Sequence, residues 1–210
     1  MKKNIFLALA LVTVMHSQAQ SLWDTSKPDR NITFGVRVGH NASSMDGETE
    51  AAGVKSGITA GVSVDYNIIK SLSLVSGLYY SAKGFGYVGE DNDDRAELSY
   101  VQIPLQLSYR IETVTKVQFH FNVGLYGAYG LGGSLKLMPQ DLAYFYKFDQ
   151  DAFGDNGFFK HLDIGLTAGA HMQLGHFLIG LTYEYGLSDI AKVYGEFNNR
   201  NIALTLGYNF

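Results

Sequence analysis

From Asn31 onward the chain alternates apolar with polar or small residues, one for one, in successive segments of about ten positions. Period two puts all the apolar side chains of a segment on one face of an extended strand. The first segment sets Ile32, Phe34, Val36 and Val38 against Thr33, Gly35, Arg37 and Gly39. The sixth sets Leu162, Ile164, Leu166, Ala168 and Ala170 against Asp163, Gly165, Thr167, Gly169 and His171. Eight such segments run along the chain, near 32–39, 58–66, 72–83, 101–110, 117–129, 162–173, 177–186 and 202–210. The connections alternate in length. Asn67–Ser71, Glu112–Thr115 and the turn at Gly175 are short, whereas Ala42–Ser56, Gly84–Ala96, Gly132–Phe159 and Ser188–Asn198 are long. That rhythm predicts an all-β, eight-stranded, antiparallel up-and-down transmembrane barrel, with tight turns in the periplasm and long loops outside.

Alternation alone fits a soluble barrel equally well, so the composition of the polar face decides the matter. Charged residues make up 17% of the chain, against roughly 25% in soluble domains. A strand face in water would carry Lys, Glu and Thr. This face carries Gly35, Gly39, Gly61, Gly77, Gly124, Gly130, Gly165, Gly169, Gly180, Gly186 and Gly207. Glycine weakens an exposed strand, but in a narrow lumen it makes room for large side chains. The small-and-polar face is therefore the lumen, and the apolar face meets lipid. Aromatics on the apolar face form two belts suited to membrane interfaces. Phe34, Tyr66, Tyr109, Phe119, Phe177, Tyr208 and Phe210 fall at the short-turn ends, and Tyr80, Tyr129, Tyr183 and Tyr185 toward the long loops.

The N-terminus has Lys2 and Lys3, an apolar run from Ile5 to Val14, and Ser17-Gln18-Ala19 with small residues where a signal peptidase inspects. The apolar run is too short to span a bilayer, which takes about 20 residues. The expected organisation is a signal peptide over 1–19, a periplasmic tail over 20–30 that includes Trp23, and a barrel domain over 31–210. The net charge of -4, without a basic patch, argues against nucleic acid. With no cysteine, disulfide frameworks and cysteine-based metal sites are excluded.

Several stretches resemble the PorT-like outer-membrane β-barrel proteins of Bacteroidetes: GVRVGHNASS in the first strand, GITAGVSVDYNI in the second, LSLVSGLYYSAKG in the third and YVQIPLQLSYRI in the fourth. The resemblance implies the barrel architecture. The terminal Phe210, preceded by Tyr208, Leu206 and Leu204, is similar to the C-terminal signal read by barrel-assembly machinery, which implies that machinery as a partner.

Arg37, Asp65, Lys83, Arg110, Asp163 and Glu184 sit on the lumen face, with His120 and His171 among them, and are expected to form an internal ion network. His40 near Ser43 and Ser44 is the nearest approach to a nucleophile and base, and His161 near Asp163 comes second. Asp149, Asp151, Gly154 and Asp155 follow part of a calcium loop, but Phe153 and Lys160 occupy ligand positions, so no metal or cofactor is expected. Each long connection is net negative, which suits divalent-ion bridging to lipopolysaccharide. Loop 132–159 carries Tyr144, Phe145, Tyr146, Phe148, Phe153, Phe158 and Phe159, either as a surface for a protein partner or a lid folded over the mouth, or because the flanking strands extend above the membrane and the rings pack together. The expected function is that of a non-enzymatic barrel working through its outer loops; a lipid-modifying enzyme and a narrow conduit are the alternatives. N-terminal sequencing of the exported protein should begin at Gln20; a first residue of Met1 would contradict the signal-peptide reading.

Overall fold

The computed structural model describes residues 23–46, 53–86, 95–136, 150–153, 157–192 and 197–210. The expected signal segment 1–19 and residues 20–22 of the tail lie outside them. The strands are β1 (Ile32–Asp46), β2 (Lys55–Ile69), β3 (Leu72–Gly86), β4 (Arg95–Glu112), β5 (Val117–Lys136), the two-residue β6 (Gln150–Asp151), β7 (Leu162–Leu174), β8 (Phe177–Gly186) and β9 (Asn198–Asn209). All pairings are antiparallel. β1 pairs with β2 and β9, and β5 pairs with both β4 and β7, so the eight long strands close into a ring. Only β6 stands outside that ring, on the far end of β5.

The faces separate as period two requires. Phe34, Val36 and Val38 are 61%, 44% and 57% exposed, whereas Asn41, Ser43, Ser73, Ser108 and Asp163 are buried. Apolar residues therefore point out of the barrel and polar ones in. In water this would be a continuous apolar surface far larger than a soluble monomer carries.

Glycine is what lets the narrow interior hold large groups. A methyl group built on Gly61 or Gly77 would strike the Tyr79 ring, and one on Gly165 the Tyr126 ring. On Gly180 it would meet the His171 ring, on Gly207 the Arg37 side chain, and on Gly130 the Phe153 ring. Each large lumen group thus lies against strand backbone where a Cβ is missing. In β4, Pro104 has no N–H, and the β3–β4 ladder lapses opposite it between Ser76↔Leu105 and Tyr79↔Gln102.

The strands run further than the alternation indicated. β1 continues to Asp46, β2 starts at Lys55, β3 ends at Gly86, β4 starts at Arg95 and β5 ends at Lys136, so the connections expected at Ala42–Ser56, Gly84–Ala96 and Gly132–Phe159 are partly strand. The cause is geometric. Rising about 3.3 Å per residue at a tilt near 40°, an eighteen-residue strand such as β4 climbs about 45 Å, against an apolar band about 25 Å tall. Above the membrane the outer face need not be greasy, so pairing continues after the pattern stops. At the opposite end the turns stay tight, and Gly175 (φ 58) supplies the left-handed residue between β7 and β8. Gly180→Val should destabilise the barrel by about 1–3 kcal/mol by driving into His171, while Ala60→Val on the outer face should leave stability unchanged, as read by urea unfolding in micelles.

Candidate functional site

The lumen is filled in its upper part and open at its lower end. Near the loop side, Lys83 of β3 reaches across to Glu184 of β8, with Nζ to Oε2 at 2.8 Å and both side chains buried. Lys83 also donates to Gln102 Oε1 at 2.7 Å, while Gln102 Nε2 and Asn201 Nδ2 donate to Glu184 at 2.5 and 2.9 Å. The ammonium lies 4.5 Å from the centre of the Tyr126 ring. β3 and β8 are not neighbours in the ring, so this cluster ties opposite walls together. A buried charge pair of this kind holds because neighbouring groups hydrogen-bond both charged ends, here Gln102 on Lys83 and Gln102 with Asn201 on Glu184.

Asp163 anchors a second cluster. It accepts from Asn199 Nδ2 at 2.8 Å, Tyr126 OH at 3.2 Å and Ser188 Oγ at 3.1 Å. Lower down, Gln106 donates to Thr167 across the lumen. Arg37 donates to Asn209 Oδ1 at 2.7 Å, and Arg110 to Asn67 Oδ1 and Ser73 Oγ. Of the six lumen charges the sequence singled out, the structure joins only Lys83 and Glu184 in a direct ion pair among the described residues; Arg37, Arg110 and Asp163 are hydrogen-bonded to neutral groups, and Asp65 feels the charges of Arg37 and Arg110 without a hydrogen-bond partner on its Oδ1.

Above the ion pair the mouth is closed by apolar packing. Phe153 descends over Gly130, meets Tyr100 edge-on at 5.5 Å and stacks on His161 at 5.3 Å. Leu98, Met45, Phe159 and Ile190 complete a buried cluster with them. The backbone fixes this lid. Ala152 N donates to Gly133 O, Phe159 N to Ala152 O, and Lys160 N to Ile190 O, which stitches the third and fourth loops together. Asp189 pins the fourth loop by accepting from Lys160 Nζ at 2.9 Å and from the amides of Ala191 and Phe197. Burial alone would raise its carboxyl, but the Lys160 ammonium and those amide donors outweigh that and hold it below the usual carboxylate range.

The aromatics of loop 132–159, for which the sequence leaves a partner surface, a lid and packing on extended strands all open, divide accordingly. Phe153 and Phe159 are buried and Phe158 packs against them, because the extended strands leave an apolar well that they fill. Tyr144, Phe145, Tyr146 and Phe148, with most of the part-calcium sequence around Asp149, lie outside the described residues. Tyr100 was invisible to the alternation, since β4 begins before the fourth apolar run does.

The candidate grouping of His40 with Ser43 and Ser44 does not form among the described residues. Residues three apart on a strand face opposite ways. His40 is on the outer face, and Ser43 is buried in the lumen, donating to Gly84 O at 3.0 Å. The imidazole Nε2 instead contacts the Ser56 hydroxyl of the neighbouring strand. His161 does not pair with Asp163; its Nδ1 contacts Gly130 O, and its ring stacks on Tyr129 at 4.9 Å.

The aromatics expected to form the belts lie on the outer face of the barrel. His176, Phe177, Tyr208 and Phe210 cluster at the short-turn end, with ring centres 5.3–5.4 Å apart. Phe34, Tyr66, Tyr80, Tyr129, Tyr183 and Tyr185 are outward and exposed, and Tyr109 and Phe119 are outward and partly covered. Trp23, read from sequence only as part of the tail, stacks on Tyr109 at 5.7 Å and joins the lower belt. At the upper belt, Arg200 lies 3.6 Å over the Tyr185 ring and pairs with Asp46 at 2.9 Å.

A closed eight-stranded barrel with a greasy exterior and a polar interior is an outer-membrane barrel. The chain matches, over residues 18–192, the family described as outer membrane protein beta-barrel domain, and it belongs to that family. Among solved structures it is similar to Neisserial surface protein A, with TM-score 0.52 and 14% identity over 86% of this chain and 100% of that one. The attachment invasion locus protein of Yersinia pestis, solved with the heparin analogue sucrose octasulfate, gives 0.48 and 15% over 86% and 100%. OprG from Pseudomonas aeruginosa gives 0.44 and 16% over 90% and 99%. No curated protein matches the chain.

Lys83→Met should cost about 3–5 kcal/mol because Glu184 is left charged and alone, whereas Lys83→Met with Glu184→Leu should recover most of it in the same unfolding measurement.

Proposed function

We propose that this is a non-enzymatic barrel of the Gram-negative outer membrane that acts through its extracellular loops, as an adhesin-like or envelope-structural protein or as an accessory of a secretion or uptake complex. The observation that carries the reading is the closed upper lumen. Phe153 and its neighbours sit above a cross-lumen ion pair, so the crown of loops is the face offered to the outside. A narrow conduit would need both layers to move, and liposomes holding the protein should stay impermeable to small sugars.

Export would follow cleavage after Ala19, with insertion by barrel-assembly machinery reading Tyr208 and Phe210. The strand motifs favour the PorT-like Bacteroidetes branch within the family. Lipopolysaccharide is the proposed lipid contact, through the acidic loops by divalent-ion bridging, and Arg200 and Lys160 at the rim are already occupied by Asp46 and Asp189. A protein partner is proposed for loop 132–159.

The His40 and Ser56 contact favours one second reading, a lipid-acyl hydrolase facing the outer leaflet, since nucleophile and base must be within hydrogen-bond reach. Among the described residues no hydrogen bond orients the other imidazole nitrogen, and loop action is preferred. Deleting 141–149, which spares Phe153, should abolish crosslinking of the barrel to its partner on intact cells while folding is kept. Unchanged crosslinking would reject the loop reading, and a lipid A mass profile altered by Ser56→Ala would install the hydrolase.

A further inference from the structure

The lower mouth of the lumen differs from the upper one. Between the short turns and the tail 23–30 lies a polar vestibule of about 470 Å³, within the size range of small-molecule sites. It would hold about 15 waters at roughly 30 Å³ each, far more than one carboxylate needs. The tail forms part of its rim. Asp24 N donates to Ser71 Oγ at 2.6 Å, Lys70 N to Ser26 O, and Arg30 to Phe210 O at 2.8 Å.

The charges around this space fall into two groups. Those at the rim satisfy one another: Lys116 pairs with Glu112 at 2.9 Å and Lys70 with Asp29 at 3.8 Å. Those deeper in attract one another through space, Asp65 toward Arg110 and Arg37, but make no direct ion pair among the described residues. Asp65 lines the vestibule, is 4% exposed, and its Oδ1 has no hydrogen-bond partner. Arg110 also lines it, gives only NH2 to the neutral groups Asn67 and Ser73, and leaves its buried Nε without a partner. The two are not within ion-pairing distance of each other. A deep carboxylate and a deep guanidinium that line one cavity without a direct ion pair between them complement a ligand that carries both signs.

We infer that the vestibule binds a small zwitterion of amino-acid or short-peptide size, with its ammonium group on Asp65 and its carboxylate on Arg110. The ligand enters from the periplasm and goes no further, because the Lys83 and Glu184 pair and the Phe153 lid close the lumen above. The site is a binding site at the inner face rather than a stage of transport, and it does not depend on what the outer loops contact.

The test is calorimetry on the full chain refolded in micelles, with glycylglycine as the probe. Saturable binding is expected below about 10 mM, weakened at least about tenfold when either end of the probe is blocked, as N-acetylglycylglycine or as glycylglycine amide. Asp65→Asn and Arg110→Gln should each lower affinity at least about tenfold, and Lys55→Ala on the opposite rim should leave it unchanged. Because Asp65 Oδ1 has no hydrogen-bond partner, the isosteric Asp65→Asn breaks no hydrogen bond there and, once its refolding is checked by the unfolding measurement, carries the test if Arg110→Gln fails to refold. Absence of saturable heat, equal binding of either blocked probe, or full affinity in Asp65→Asn would overturn the proposal.

Discussion

In hydrocarbon a backbone N–H or C=O has no water to turn to, so every one must be paired within the protein. For strands the only complete solution is a closed ring, which the pairing of β5 with both β4 and β7 provides. The rest of the structure follows from that closure. Eight strands make a ring too narrow for a water-filled pore, so the interior must be packed with side chains. Packing them needs recesses in the wall, and glycine supplies these where Tyr79, Tyr126, His171 and Arg37 lie against it.

How much of this is legible in the sequence depends on which solvent each residue meets. Within the membrane, lipid outside and polar packing inside impose alternation on both faces, and the eight strands, the short turns and the belt residues can be read directly. Above the membrane, water bathes the outer face and the pattern fades while pairing continues, so the upper reaches of β1 and β4 are hidden. That is also why Tyr100 escapes notice and why Phe153 and Phe159 look like loop residues. Their burial depends on a well formed by strands distant in sequence. The His40 and Ser43 idea failed on a rule the sequence already contained, since an odd spacing separates two residues to opposite faces; the contact with Ser56 crosses strands and needs the register of β1 on β2. The lumen charges could be placed inside, but not paired. Whether Lys83 reaches Glu184 is decided by the strand order around the ring, where β3 and β8 face each other across it.

The barrel is thus asymmetric along its axis. Its outer end is closed by an apolar lid and locked by loop-to-loop hydrogen bonds, and its inner end is an open polar vestibule. On the proposed function, recognition of the outside falls to the crown, and on the proposed ligand site the opposite end takes a small polar solute. The tail is fixed at that end, with Trp23 stacked on Tyr109 and Arg30 bonded to the Phe210 carbonyl at the vestibule rim.

The central claim is that greasy side chains face lipid and polar ones the lumen. Because the chain has no cysteine, single cysteines can be introduced along β4 and spin-labelled without background. In bilayers, labels at 103, 105 and 107 should collide freely with dissolved oxygen, while labels at 102, 106 and 108 should be shielded from it. Equal accessibility at all six positions, or the opposite alternation, would contradict the account.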